Sequence, residues 1–103
     1  MTEKLINRQL LEALANRLEE QGFEVRRYFI SDYWFIKIDL RKRFIKSEDR
    51  EEFIALVIDD NLNIKLTLSS SLSIWTFKDL GDFHHFCWDL IKALQIIREY
   101  IKP

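Results

Sequence analysis

The sequence predicts an α+β fold: an N-terminal helix, a four-stranded antiparallel sheet made of two hairpins, and a long C-terminal helix. Three observations predict it. Apolar residues recur at three- and four-residue steps near both ends of the chain. Between them, runs rich in Ile, Val, Phe, Tyr and Trp alternate with a period of two. Short polar breaks, Ser31-Asp32 and Asp60-Asn61, fall where antiparallel strands would turn.

The first helix is expected over residues 3–21. Ile6, Leu10, Leu11, Leu14 and Leu18 lie on one stripe, and Gly22 stands where a C-terminal cap belongs. The first hairpin is expected over 23–30 and 33–44. Its register sets Phe29 against Trp34, Val25 against Ile38 and Phe23 against Leu40 on the core side. Tyr28 then faces Phe35 and Arg26 faces Lys37 on the other side. Arg27 breaks this pattern by landing opposite Ile36, which calls for a bulge or a carboxylate partner.

The second hairpin is expected over 53–59 and 62–69, with Val57 opposite Ile64, Ala55 opposite Leu66 and Phe53 opposite Leu68 toward the core. Ile54, Leu56 and Ile58 would then share the second face with Tyr28, Tyr33 and Phe35. Residues 41–52 read as a strand end and a solvated loop, and 72–77 as a short edge strand or an extension of the last strand. Thr76 and Asp79 fit a capping box for a second helix starting near Phe77, with a start at Asp82 as the alternative. Its stripe is Leu80, Phe83, Cys87, Leu90, Leu94, Ile97 and Ile101, widened by Phe86, Ile91 and Ala93. Trp88 and Ile96 fall outside it.

A chain of 103 residues that is 48% hydrophobic and 32% charged is a single globular domain. Two Gly and one Pro leave room only for short loops. An Ile- and charge-rich composition poor in Asn, Gln, Met and Cys suits a thermophile, with an archaeal or viral source. A formal net charge of −1 removes the strong basic signal of a nonspecific duplex DNA binder. The charge is uneven: residues 33–46 hold Lys37, Arg41, Lys42, Arg43 and Lys46 against Asp39, and residues 47–63 hold Arg50 against Glu48, Asp49, Glu51, Glu52, Asp59 and Asp60. Cys87 is the only cysteine, so no intrachain disulfide forms. Charges at Glu3 and Lys4 predict no signal peptide, and no apolar run approaches a membrane span, so a cytoplasmic location is expected.

Catalytic and metal chemistry find no support. His84, His85 and Cys87 supply too few ligands at the wrong spacing for structural zinc. Cys87 reads as core, His85 as a partner of Asp89, and His84 as a neighbour of Trp88. Asp39, Asp59, Asp60 and Lys65 lack the acid-x-Lys spacing of many nucleases, and Asp60 reads as a solvated turn tip. Ser69-Ser70-Ser71 has no matching His and Asp, and no glycine-rich phosphate loop exists. No cofactor is implied and no enzymatic activity is expected.

What stands out is the second sheet face. A solvated face should be polar, yet this one carries Tyr28, Tyr33 and Phe35 with Arg26, Lys37, Arg41, Arg43 and Lys65. One reading is a site for single-stranded nucleic acid, with bases stacked on the rings and phosphates on the cations. The other is that these rings pack under a helix or a second subunit, with Arg26 and Lys37 paired to Glu24 and Asp39. Ile54, Leu56 and Ile58 on that face, with Trp88 and Ile96 on the polar side of the last helix, are the expected interface of a homo-oligomer.

The order helix, four antiparallel strands, helix, with its aromatic content and composition, resembles the ThermoDBP-type single-stranded DNA-binding proteins of thermophilic archaea. The resemblance implies an aromatic-lined basic cleft and oligomerisation, and carries over no site residue. A double-stranded RNA-binding domain shares the order too, but its second helix should open on basic residues, and residues 76–82 here are acidic in balance. Secretion-chaperone-like folds supply the alternative of a homodimeric protein-binding adaptor or inhibitor, including a virus-encoded one.

Overall fold

The computed structural model describes residues 2–40, 53–69, 77 and 79–102. The order is α1 (Thr2–Glu20), β1 (Glu24–Ile30), β2 (Tyr33–Asp39), β3 (Phe53–Asp59), β4 (Ile64–Ser69) and α2 (Leu80–Tyr100). The four strands form one antiparallel sheet in the order β1-β2-β3-β4. The expected fold class is the one observed. The expected edge strand at 72–77 and the stretch 41–52 lie outside the described residues, Phe77 excepted.

Helix α1 ends as its sequence demands. Gly22 takes φ 90°, its N–H donates to the Glu19 carbonyl, and the Phe23 N–H donates to the Leu18 carbonyl. This double closure satisfies carbonyls that the last turn would leave bare, and it needs a left-handed residue that glycine supplies without strain. The next residue is already turning into β1.

The β1–β2 register is the expected one along its whole length, from Glu24 opposite Asp39 to Ile30 opposite Tyr33. The turn is tight, with Ser31 at φ 49°. The second hairpin differs from expectation by one residue: Val57 pairs with Lys65, Leu56 with Leu66 and Ile58 with Ile64. Leu62, at φ 64°, adds a residue to the turn, which closes through the Leu62 N–H to the Asp59 carbonyl and the Asp59 N–H to the Asn63 carbonyl. A one-residue slip turns a strand over.

That slip corrects three expected interface residues. Ile54, Leu56 and Ile58 lie beside Ile36 and Ile38 in the core, at most 4% exposed, and not on the second face. The core joins them to Leu11, Leu14 and Leu18 of α1 and to Phe86, Ala93, Ile96 and Ile97 of α2. Fully burying a Leu or Ile side chain contributes roughly 1.5–3 kcal/mol, so this cluster dominates stability. Ile96 is therefore also corrected: it is a core residue, 8% exposed.

Both helices lie on this one face of the sheet. Arg27, the residue out of pattern, is held by α1: it donates to Glu12 at 3.0 Å, to Glu19 at 2.7 Å and to Asn16 at 2.9 Å. The carboxylate partner explains it. The Arg27 hydrogen bond draws the Glu19 carboxyl below its usual range, and the same bond, with the charges of Glu12 and Glu19, raises Arg27.

Asp60 is a further correction. It sits in the β3–β4 turn but is fully buried. Its Oδ2 accepts from the Trp34 N–H at 3.0 Å and from Arg8 at 3.1 Å, with the Lys4 ammonium 3.6 Å away. Asn7 donates to the Asp60 carbonyl at 3.2 Å. The N-terminal half of α1 is thus fastened to the sheet by charge at Asp60, and the C-terminal half by the Arg27 ion pairs together with apolar packing.

Candidate nucleic-acid interface

The second sheet face lies opposite the buried Ile36, Ile38, Leu56 and Ile58, and it is not open throughout: Ala55 is fully buried on it, and Glu24 and Asp39 border a cleft with His85, Trp88, Asp89 and Lys92 of α2. Pairing across the strands arranges its side chains in rows. One row is Arg26, Lys37, Val57 and Lys65, crossing all four strands. The row above it begins with Tyr28 and Phe35 and ends at Asp59; Ile30 and Tyr33 lie beyond. The row below is Glu24, Asp39, Ala55 and Thr67.

The aromatic row is a joined surface. Tyr28 and Phe35 stack at 4.7 Å between centroids with 14° between planes, and Tyr33 tilts against Phe35 at 5.4 Å. Tyr28 and Phe35 are half-buried and Tyr33 is exposed. Three rings held by one strand pair are pre-ordered, so little rotamer freedom remains to be lost on stacking with a flat ligand.

The cationic row is partly answered from within. The Arg26 guanidinium lies 3.7 Å from Asp39 and 4.0 Å from Glu24. A hydrogen bond with Tyr28 and the charge of Asp39 raise its pKa. This placement offsets the facing carboxylates Glu24 and Asp39 and leaves Arg26 only part of its charge for a ligand. Lys65 on the edge strand is exposed, and Lys37 is half-buried.

The structure thus brings Arg26, Tyr28, Tyr33, Phe35, Lys37 and Lys65 to one face. Arg41 and Arg43 lie outside the described residues. Val57, expected in the core, sits half-buried on this face, which only the β2–β3 pairing could have revealed; Ala55 shares its side of the sheet but is fully buried, as expected of a core residue. Asp59 points to this side but is spoken for by the turn, accepting from the Asn61 and Asn63 N–H groups at 2.9 Å each.

Comparison with family models, curated proteins and solved structures finds no match to this chain. The reading of the face therefore rests on its own geometry. Elsewhere, His85 Nδ1 lies 3.5 Å from Asp89, the expected pair, and Cys87 packs partly buried against the core. Among the described residues, no three His, Cys, Asp or Glu side chains gather as a metal site would require. No described helix is long and apolar enough to cross a membrane.

Proposed function

We propose that this protein binds single-stranded nucleic acid on the open sheet face and performs no chemistry on it. The observation that carries this reading is the pair of adjacent rows: stacked Tyr28 and Phe35, with Tyr33 beside them, alongside Arg26, Lys37 and Lys65. Bases stack on the rings without regard to sequence, because every base has a π-face. The sugar-phosphate backbone follows the cations across the strands.

The acidic row beside the cations makes the electrostatic share small. With two or three effective phosphate contacts, the logarithm of affinity falls against the logarithm of salt with a slope of about −1.4 to −2. Fluorescence polarisation of a labelled oligo-dT at two salt concentrations measures this. Phe35→Ala weakens binding by ~1–3 kcal/mol. A probe that is not retained, or is retained equally at both salts, overturns the reading. A second reading, a homodimeric protein-interaction module, draws on a different observation, the apolar side chains left exposed on α2 and β4.

A further inference from the structure

The geometry points to a second copy of this chain as the occupant of the β4 edge, paired strand to strand about a two-fold axis at Leu66. The two edges of the sheet differ in kind. β1 carries Glu24, Arg26 and Arg27 within seven residues, whereas β4 carries only Lys65 among Ile64, Leu66, Thr67 and Leu68. Charges on an edge strand discourage pairing, and a bare apolar edge invites it.

Among the described residues, the two helices leave β4 partly uncovered. Ile64 and Leu66 point to the same side as the buried Ile58 and Leu56, yet they are 44% and 55% exposed. The reason lies in how the helices are set. α1 stands over β1, gripping Arg27. α2 lies next to it: His85, Trp88, Asp89 and Lys92 border a cleft with residues 21–24 at the end of α1. The buried side of α2 holds Asp82, Phe86, Ala93 and Ile97. By helical geometry, Phe83, Ile91 and Leu94 fall on the remaining flank, away from α1 and toward β4. These three residues are exposed, as is Leu80 at the start of the helix.

A strand that pairs with its own copy must be compatible with itself. An axis through Lys65 would set two ammonium groups face to face, which is unfavourable. An axis through Leu66 sets Lys65 against Thr67 of the second copy, Leu66 against Leu66, and Ile64 against Leu68, and keeps residues 64–68 in the ladder. The axis stands perpendicular to the sheet, so both helix layers remain on one side. Each β3 is then three strand spacings from its mate, roughly 14 Å. A helix is about 10–12 Å across with its side chains, so helices set above the two β3 strands would stand within side-chain reach of each other.

Six half-exposed large side chains offer on the order of 500 Å² of apolar surface per copy. Doubled, this reaches the roughly 1,000 Å² that a specific interface needs. The pairing does not depend on what the open face binds.

Sedimentation equilibrium of the full chain tests it. The expected mass at high micromolar concentration is about 25 kDa, twice the 12.5 kDa chain. Leu66→Glu, on an exposed position, halves that mass with an unchanged circular dichroism spectrum. In a Cys87→Ser background, Leu66→Cys forms a covalent dimer on mild oxidation and Ile64→Cys does not, because only residue 66 meets itself. A wild-type chain that remains monomeric overturns the proposal. So does a dimer that survives Leu66→Glu, or one in which Leu66→Cys fails to cross-link.

Discussion

Asp60 shows how much one buried carboxylate can organise. Its Oδ2 gathers Arg8, Lys4 and the Trp34 N–H, and so ties α1 to both hairpins. Removing the charge leaves Arg8 facing a buried neutral group. Asp60→Asn should destabilise the fold by ~2–4 kcal/mol, less than a fully buried pair because Arg8 and Lys4 keep some contact with water. A shift of the urea midpoint measures it, and a change within error of zero would refute this role. Ser31 is the opposite case. It holds φ 49° in the β1–β2 turn, a left-handed conformation that a side chain resists. Ser31→Gly should raise stability by up to about 1 kcal/mol, the relief exceeding the extra freedom of the unfolded chain; a lower urea midpoint would contradict this.

Between elements, the α1–β1 contact depends on ionised carboxylates. The Arg27 hydrogen bond lowers the folded-state pKa of Glu19 from its ordinary value of 4.5. Stability from this contact is therefore complete above the unfolded pKa and is lost as pH falls through the lowered folded value. Denaturant midpoints at about pH 6 and about pH 3 should differ less in Glu19→Gln than in the wild type; equal differences would count against it. The first hairpin was legible in the sequence because strict alternation and a two-residue turn leave one register that buries Trp34, Ile36 and Ile38 together. The second was not. β3 is apolar on both sides, Ile54, Leu56 and Ile58 against Ala55 and Val57, so alternation cannot tell which side is buried. The deciding residue, Leu62, carries no turn signature. The α2 stripe was legible only in part for a related reason: apolar residues cover nearly half the cylinder, so Phe86, Ala93 and Ile97 are buried and Cys87, Leu90 and Ile101 pack against the core as expected, whereas Leu80, Phe83, Ile91 and Leu94 on one flank are exposed and Ile96 on the other is buried. Helix α2 also begins at Leu80 under Asp79, whose carboxylate accepts from the Asp82 N–H at 2.8 Å, between the two expected starts. For the open face, Tyr28, Phe35, Arg26 and Lys37 followed from the first hairpin alone, whereas the alignment of Lys65 with them through Val57 needed the coordinates.

For the molecule as a whole, one side of the sheet is filled by two helices and the other displays rings and cations. If two copies share a ladder, folding and association are linked, and the melting temperature should rise with protein concentration. A differential scanning calorimetry series over a hundredfold dilution checks this; a constant midpoint would mean that the folded unit is the single chain.

The unequal edges have a last consequence. If β4 pairs with its mate, the outer margins among the described strands are the two β1 strands, which bear Glu24, Arg26 and Arg27. Growth by sheet extension has nowhere to go, so crowding this protein should yield a saturable species of fixed stoichiometry, with no fibre beyond it.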